Sequence, residues 1–490
     1  MKNYKALILL LIVSFSFFNC FEDNDDIGVT ANQINDFVWK GMNLFYLYKD
    51  DVPDLGNTRF SSDAEYASFL NTFSTPPGLF ESLVYDRQNV DRFSWIVDDY
   101  IALEQLLDGV TASNGMEFQV FRFALSDTNR YGIVTHVLPN TDAAAKGIKR
   151  GDIFYGIDGI QLTGSNLSDL TNQDNYTINI GIYNDNGTED TTDDTVDTTS
   201  ESIALSKSQY SENPIHVNTV IDVNGIKIGY LMYNGFTGTE TYNNALNTVF
   251  AGFKSTGVNE LVVDLRYNSG GSVESAVLLG SLITGQFEGD VFSKEQWNSE
   301  FQEAFESQNP EALINNFVGS YKGNLLNSLN LSKVYFLTTG RSASASELVI
   351  NSLRPYIDVV QIGTTTTGKY QASTIVYDSA NFGREGANQG HSYAMLPLIY
   401  KSVNAVGNTD YFDGLEPDIL ISEQVRNLGV LGNENERFLA AAISDITGEG
   451  RFIQEKQNSE LEFTFSSKDY IPAGLGMYSN KELPSGLLKR

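Results

Sequence analysis

The 490-residue chain holds one cysteine, three histidines and 11 prolines, and its 62 acidic residues outnumber 32 basic ones. A single thiol excludes an intramolecular disulfide framework. The net charge of −30 repels nucleic acid and anionic membrane surfaces, which excludes a polyanion-binding role. Long apolar runs are missing too. The run Ala6 to Phe18 is 13 residues, too short to span a bilayer, and no later run reaches membrane length. Phosphate-loop and zinc-ligand spacings are likewise absent. What is present is a globular composition, 41% hydrophobic and 12% aromatic, with length enough for two to four domains.

Lys2 and Lys5 followed by that short apolar run have the layout of a secretory signal, with Cys20 directly after it. This resembles a bacterial lipoprotein signal, and Glu22, Asp23, Asp25 and Asp26 resemble the surface-export tether of Bacteroidota lipoproteins. The resemblance implies residues 1–19 as signal peptide, residues 20–32 as tether and a lipid anchor on Cys20. It places the chain in a Gram-negative, Bacteroidota-like cell envelope, as an outer-membrane lipoprotein and a candidate for surface exposure. The alternative is an ordinary cleaved signal followed by a chance cysteine.

Residues 33–109 read as a helical region, because Ile34, Phe37, Val38, Met42, Phe45 and Tyr46 recur at helical spacing, as do Tyr66, Phe69, Leu70 and Phe73. From residue 110 to 208 the texture turns to short strands around a small helix at Asp142 to Lys146. An acidic stretch at residues 183–202 reads as a solvated loop, with calcium binding disfavoured because its carboxylates lack EF-hand spacing. The run from Gly132 through Ala143-Ala-Ala and Gly151-Asp-Ile to Ile157-Asp-Gly159 looks like a PDZ domain. That resemblance implies capture of an extended peptide, with a carboxylate loop at Gly115, Met116, Glu117 and Phe118.

From residue 209 to about 445, strands alternate with helices, which argues an α/β layer on a largely parallel sheet. Val334-Tyr-Phe-Leu-Thr-Thr339 reads as a strand that breaks at Gly340 into Arg341-Ser-Ala-Ser-Ala-Ser-Glu347 and a helix. A serine on such a strand-to-helix turn meets unpaired amides, so Ser344 is a candidate nucleophile. A second strand ends in Gly363-Thr-Thr-Thr-Thr-Gly-Lys369, which supplies Lys369 as a candidate base. A serine hydroxyl needs a base, and lysine serves only when burial keeps it neutral.

Asp264-Leu-Arg-Tyr-Asn-Ser-Gly-Gly271 looks like the signature of the tail-specific, or C-terminal processing, serine peptidases, and Ser342-Ala-Ser-Ala-Ser-Glu347, Gly368-Lys369 and Gly414-Leu-Glu-Pro-Asp418 follow in that family's order. The resemblance implies a multidomain α+β fold: a helical N-terminal region, a PDZ-like β domain and a crotonase-like α/β peptidase domain. It also implies an envelope endopeptidase acting on peptides or proteins, often near their C-termini. Catalysis would use Ser344 and Lys369 through an acyl-enzyme, with amides of Gly270, Gly271 and Ala345 as oxyanion hole and no metal or organic cofactor. The family often has a glutamine four residues after the lysine; here Ser373 stands there and Gln371 two residues earlier, so either can orient Lys369. A histidine base would have to be His136, His216 or His391. The rival class is a catalytically silent lipoprotein that binds peptides in the same grooves. Residues 446–490 form an extension with no assigned role.

Overall fold

The computed structural model describes residues 31–122, 128–188, 193–409, 411–448, 462–469 and 476–479, with 481, 483–484 and 486–487. The signal-like start, Cys20 and its acidic neighbours lie outside the described residues. None of the described helices is long and apolar enough to cross a membrane.

The N-terminal region forms α1 (Ala31–Phe45), α2 (Asp63–Leu70), α3 (Pro76–Ser82) and α4 (Tyr100–Leu107). Ser62, Thr75 and Asp99 cap the last three, each accepting from an amide of the first turn that has no partner inside its helix. The apolar stripe of α1 is buried, and it joins one continuous core with Phe250, Phe301 and Leu398. β1 (Trp95–Val97) pairs antiparallel with Ala394–Leu396. The helical region is therefore built into the α/β part rather than tethered to it.

The central module is an antiparallel sheet of β2 (Met116–Arg122), β3 (Tyr131–Val137), β4 (Ile153–Ile157), β5 (Asn175–Asn184) and β6 (Thr195–Ser206), with α5 (Asp142–Ala145) and its own core of Phe118, Val120, Val134, Phe154 and Ile178. Where a loop was expected over 183–202, residues 183–184 and 195–202 are strand, whereas 185–188 and 193–194 lie outside any strand. β5 and β6 pair from Asn175↔Ser206 to Asn184↔Thr195, because Thr195, Val196, Thr198 and Thr199 favour an extended backbone more than their polarity favours a loop. Asp194 is buried and paired with Arg426 at 2.8 Å rather than solvated.

The α/β part has a six-stranded sheet ordered β7 (Ile215–Val223), β8 (Ile226–Tyr233), β9 (Glu260–Asp264), β10 (Lys333–Thr338), β11 (Asp358–Gly363) and β12 (Ile419–Leu420). β8 through β12 run parallel and β7 antiparallel. Leu261, Val262 and Val263 of β9 are all fully buried, as expected when both faces are covered. α6 (Glu240–Thr256), α7 (Val273–Thr284) and α8 (Ala345–Leu353) contribute to the core on one face, and α9 (Arg437–Thr447) to that on the other. A second sheet carries Val291–Trp297, Leu398–Asn404, Gln371–Ser373 and, from the C-terminal extension, Met477–Tyr478.

Candidate active site

β9 and β10 are neighbours, with Asp264 opposite Leu337, so the turns that follow them emerge side by side at the carboxyl edge of the sheet, where α/β folds bind ligands. Hydrogen bonds lock the two turns together. Ser342 Oγ donates to the Leu265 carbonyl at 2.7 Å. The Asn268 carbonyl accepts the Ala343 amide at 3.1 Å and Ser346 Oγ at 3.0 Å. Asn268 Nδ2 in turn donates to the Tyr233 carbonyl at 2.7 Å. Asp264 and Arg266 are both fully buried, pair at 2.8 Å, and are tied through Arg266 to Glu436 at 2.7 Å and Glu423 at 3.1 Å. They hold the turn rather than face a substrate, since such charges are tolerated in a core only when paired.

Ser344 stands between β10 and α8 with φ +64°, a left-handed conformation costing a non-glycine residue on the order of 1–3 kcal/mol. Its carbonyl already accepts the Leu348 amide, while its Oγ is buried with no hydrogen-bond partner among the described residues. Gly270 and Gly271 have φ of +113° and +135°; a Cβ at Gly270 would sit 2.7 Å from the Ser344 Cβ, and one at Gly271 2.4 Å from the Phe236 carbonyl oxygen. Only glycine permits that approach. The amides of Gly271 and Ala345 have no partner among the described residues, as an oxyanion site requires. Gly270 departs from the expectation: its amide donates to Asn268 Oδ1 at 2.9 Å, so its part is close approach rather than donation.

Lys369 ends the loop after β11 and is 1% exposed. Burial pulls its amine down to about pKa 7, although the Asp91 and Glu347 carboxylates push the other way. Its Nζ lies 4.8 Å from the centre of the Phe93 ring. Glu347, fully buried on the first turn of α8, joins the two halves of the site. One oxygen accepts the Ser344 amide at 2.7 Å and the Lys369 amide at 2.8 Å; the other accepts the Gly368 amide at 2.6 Å and Thr366 Oγ1 at 2.5 Å. Burial raises its carboxyl to about pKa 7 against those four donors.

Among the described residues neither expected orienter hydrogen-bonds the lysine amine, and Gln371 Oε1 is buried without a partner. Gln371 donates to the Tyr48 hydroxyl at 3.0 Å, and Ser373 lies buried in its strand with its carbonyl taken by the Ser479 amide. The groups around Lys369 come instead from the N-terminal region. Asp91 is held by the amides of Phe93 and Ser94 and the Tyr46 hydroxyl. Arg92 donates to the Gly368 and Phe412 carbonyls at 3.1 and 3.0 Å, which clamps the lysine loop from outside. Motif spacing carries no signal for these residues, because they reach the loop only through tertiary packing.

The loop expected to hold a carboxylate is already satisfied. The Gly115 amide donates to Ser113 Oγ and the Met116 amide to Asn114 Oδ1, and Glu117 brings a buried carboxyl to the same place. His136 contacts Asn234 and His216, and His391 pairs with Asp378; none of the three hydrogen-bonds Ser344. Among the described residues no cluster of three or more His, Cys, Asp or Glu could hold a metal.

The sequence matches the family described as Peptidase family S41 over residues 227–420 and the Peptidase S41 N-terminal domain over residues 33–95. A carboxy-terminal-processing protease of Bartonella bacilliformis is 23% identical over 337 residues, an alignment covering 66% of each chain and so just under two thirds of that relative. Among solved structures, a protein of Bacteroides fragilis assigned to the S41 proteases is 26% identical, with TM-score 0.65 over 85% of this chain and 98% of its own. The photosystem II D1 C-terminal processing protease is 15% identical, with TM-score 0.47 over 81% of this chain and 94% of its own. The chain belongs to the S41 peptidases, a family of serine proteases with a mixed α/β multidomain fold.

Proposed function

We propose that the protein is a serine endopeptidase of the cell envelope, cleaving peptide or protein substrates, often near their C-termini, with Ser344 as nucleophile and Lys369 as general base. The observation that carries this reading is the buried Lys369, brought to about pKa 7 on a loop that Glu347 ties to the Ser344 turn. At neutral pH a large share of such an amine is unprotonated and able to act as base.

In the proposed reaction the neutral amine takes the hydroxyl proton of Ser344 as Oγ forms a bond to the scissile carbonyl carbon. The carbonyl electron pair moves onto oxygen, where the Gly271 and Ala345 amides receive it. Collapse breaks the C–N bond, and the ammonium of Lys369 returns its proton to the departing amine. Water then adds to the acyl-enzyme with Lys369 again as base, and Ser344 leaves with the proton. Ser344 Oγ is unpartnered before substrate arrives, so the Ser–Lys contact closes as the substrate seats.

In the same reading residues 33–109 are the helical domain, 110–208 a PDZ-like peptide reader, 209–445 a crotonase-like peptidase domain, and Cys20 a lipid anchor to the outer membrane. The PDZ-like reading is supported by β2, β3, α5 and β4 in the expected order. The test is pre-steady-state acylation by an activated ester, with a fluorophosphonate label on Ser344 and circular dichroism for folding. Lys369→Arg keeps a charge that cannot be shed and Ser344→Ala lacks the nucleophile, so both should be folded and unreactive. Retention by Lys369→Arg of more than about a tenth of parental acylation, a barrier change under ~1.4 kcal/mol, removes Lys369 from the mechanism. A parent protein that stays unlabelled even with an extended peptide substrate present points to the catalytically silent peptide binder.

A further inference from the structure

The free edge of β2 is not free. A strand from the far end of the chain, Glu462–Ser466, pairs antiparallel with it, in register from Glu462↔Arg122 to Ser466↔Gln119. Phe465 packs against the module's core. The ladder continues as the Ser467 amide donates to the Phe118 carbonyl at 2.9 Å, and Ser467 Oγ accepts the Phe118 amide at 3.1 Å and donates to Glu117 at 2.6 Å. Beyond it Asp469 pairs with Arg341 of the nucleophile turn and Lys468 with Glu212 at 3.1 Å.

A second piece of the same extension reaches the catalytic turns. The Tyr478 amide donates to the Gly271 carbonyl at 3.1 Å, and Met477 and Tyr478 pair in parallel with Ala372 and Ser373, just past Lys369. A cleft of about 320 Å³ lies between the two pieces, lined by Met116, Phe118, Lys468, Gly270, Gly271 and Tyr478 among others. Ser344 and Lys369 are 0% and 1% exposed, so a substrate carbonyl cannot reach Oγ with everything in place.

We infer that residues 462–469 and 476–479 are an intramolecular peptide ligand that occupies the track a substrate must take, from the edge of β2 to the glycine turn beside Ser344. The inference rests on the peptidase reading and narrows its substrate. An extended edge recognises a partner through main-chain hydrogen bonds, with side-chain pockets adding selectivity. The occupant here enters as an internal segment with an aromatic side chain at Phe465. The buried Glu117 carboxyl beside that loop already accepts from Ser467 Oγ, and the Gly115 and Met116 amides are already used. The displacing partner is therefore an extended, aromatic-bearing stretch of polypeptide that needs no free C-terminus. A tethered ligand competes at a high effective concentration, so the tail holds the site closed until such a stretch replaces it.

The test locks the tail in place. Because the Ser467 amide donates to the Phe118 carbonyl, the adjacent Gln119 and Ser466 face each other as a non-hydrogen-bonded pair, at which facing cysteines can join. In a full-length Cys20→Ala background, Gln119→Cys with Ser466→Cys should, when oxidised, label Ser344 with fluorophosphonate at least tenfold more slowly than after reduction. Oxidised protein that reacts within twofold of reduced protein overturns the inference. A second arm needs no catalysis. A fluorescein-labelled, C-terminally amidated peptide of residues 462–469 should bind folded Phe465→Asp protein at least tenfold more tightly than the parent, read by anisotropy. Equal binding overturns the inference even if the protein proves to be no peptidase, whereas tighter binding without labelling rejects only the catalytic reading.

Discussion

Replacing Lys369 by methionine, a side chain of similar length without the amine, should stabilise the protein while abolishing acylation. The unfolded lysine titrates near its ordinary value of 10.5 and the folded one near about 7, so the unfolded chain binds more protons throughout the interval between them. Stability of the parent therefore rises with pH across that window, and the burial penalty is felt in full below about pH 7. A separation of roughly 3.5 units corresponds to a penalty of about 4 kcal/mol at pH 7, falling to about 2 kcal/mol near pH 9. Methionine carries no such penalty, and as a swap of similar volume it should cost under ~1.5 kcal/mol in packing. Glu347, whose raised carboxyl works in the opposite sense at lower pH, is common to both proteins and largely cancels in the difference. The expected net gain is on the order of 2–4 kcal/mol at pH 7, shrinking by about 2 kcal/mol near pH 9. Urea unfolding of both proteins at the two pH values measures it, with the slopes compared to confirm like transitions. A variant that is less stable than the parent at pH 7, or whose gain is the same at both pH values, would show that Lys369 is not held as a neutral amine.

Glu347→Gln keeps the shape but turns an NH2 toward two donors, so we expect about 2–4 kcal/mol lost in stability and a kcat reduced by roughly 10- to 100-fold with KM little changed; urea unfolding and ester kinetics measure both, and an unchanged kcat would separate Glu347 from the positioning of Ser344 and Lys369. Cys20→Ala should lose metabolic palmitate label and leave the detergent phase, whereas a variant that labels and partitions like the parent excludes the anchor.

Local patterns made much of the fold legible. The apolar β-branched runs were readable as β9, β10 and β11, and the interruptions at Gly340 and after Gly363 as the turns that carry Ser344 and Lys369. The order of module strands around the Ala143–Ala145 turn was readable for the same reason: each is set by side chains a few residues apart. Residues 195–202 were misread because their polarity hides β-branched Thr195, Val196, Thr198 and Thr199, whose extended preference matters only once β5 lies beside them.

The residues that tune the site were decided elsewhere. Asp91, Arg92 and Phe93 stand in a loop with no pattern of their own, and they reach Lys369 only because α1 shares a core with the α/β part. The lysine's depressed pKa likewise follows from complete burial, which no stretch of sequence specifies by itself. The seating of residues 462–469 on the edge of β2 and of 476–479 beside Gly271 is also made between distant parts of the chain. The sequence by itself determined which residue types stand on which turns, since strands, glycine breaks and helix starts are short-range properties of the backbone. Only the tertiary structure decided which amides stay open, which carboxylate binds the two turns together and what covers them, because desolvation and hydrogen-bond competition depend on groups tens to hundreds of residues apart in the chain.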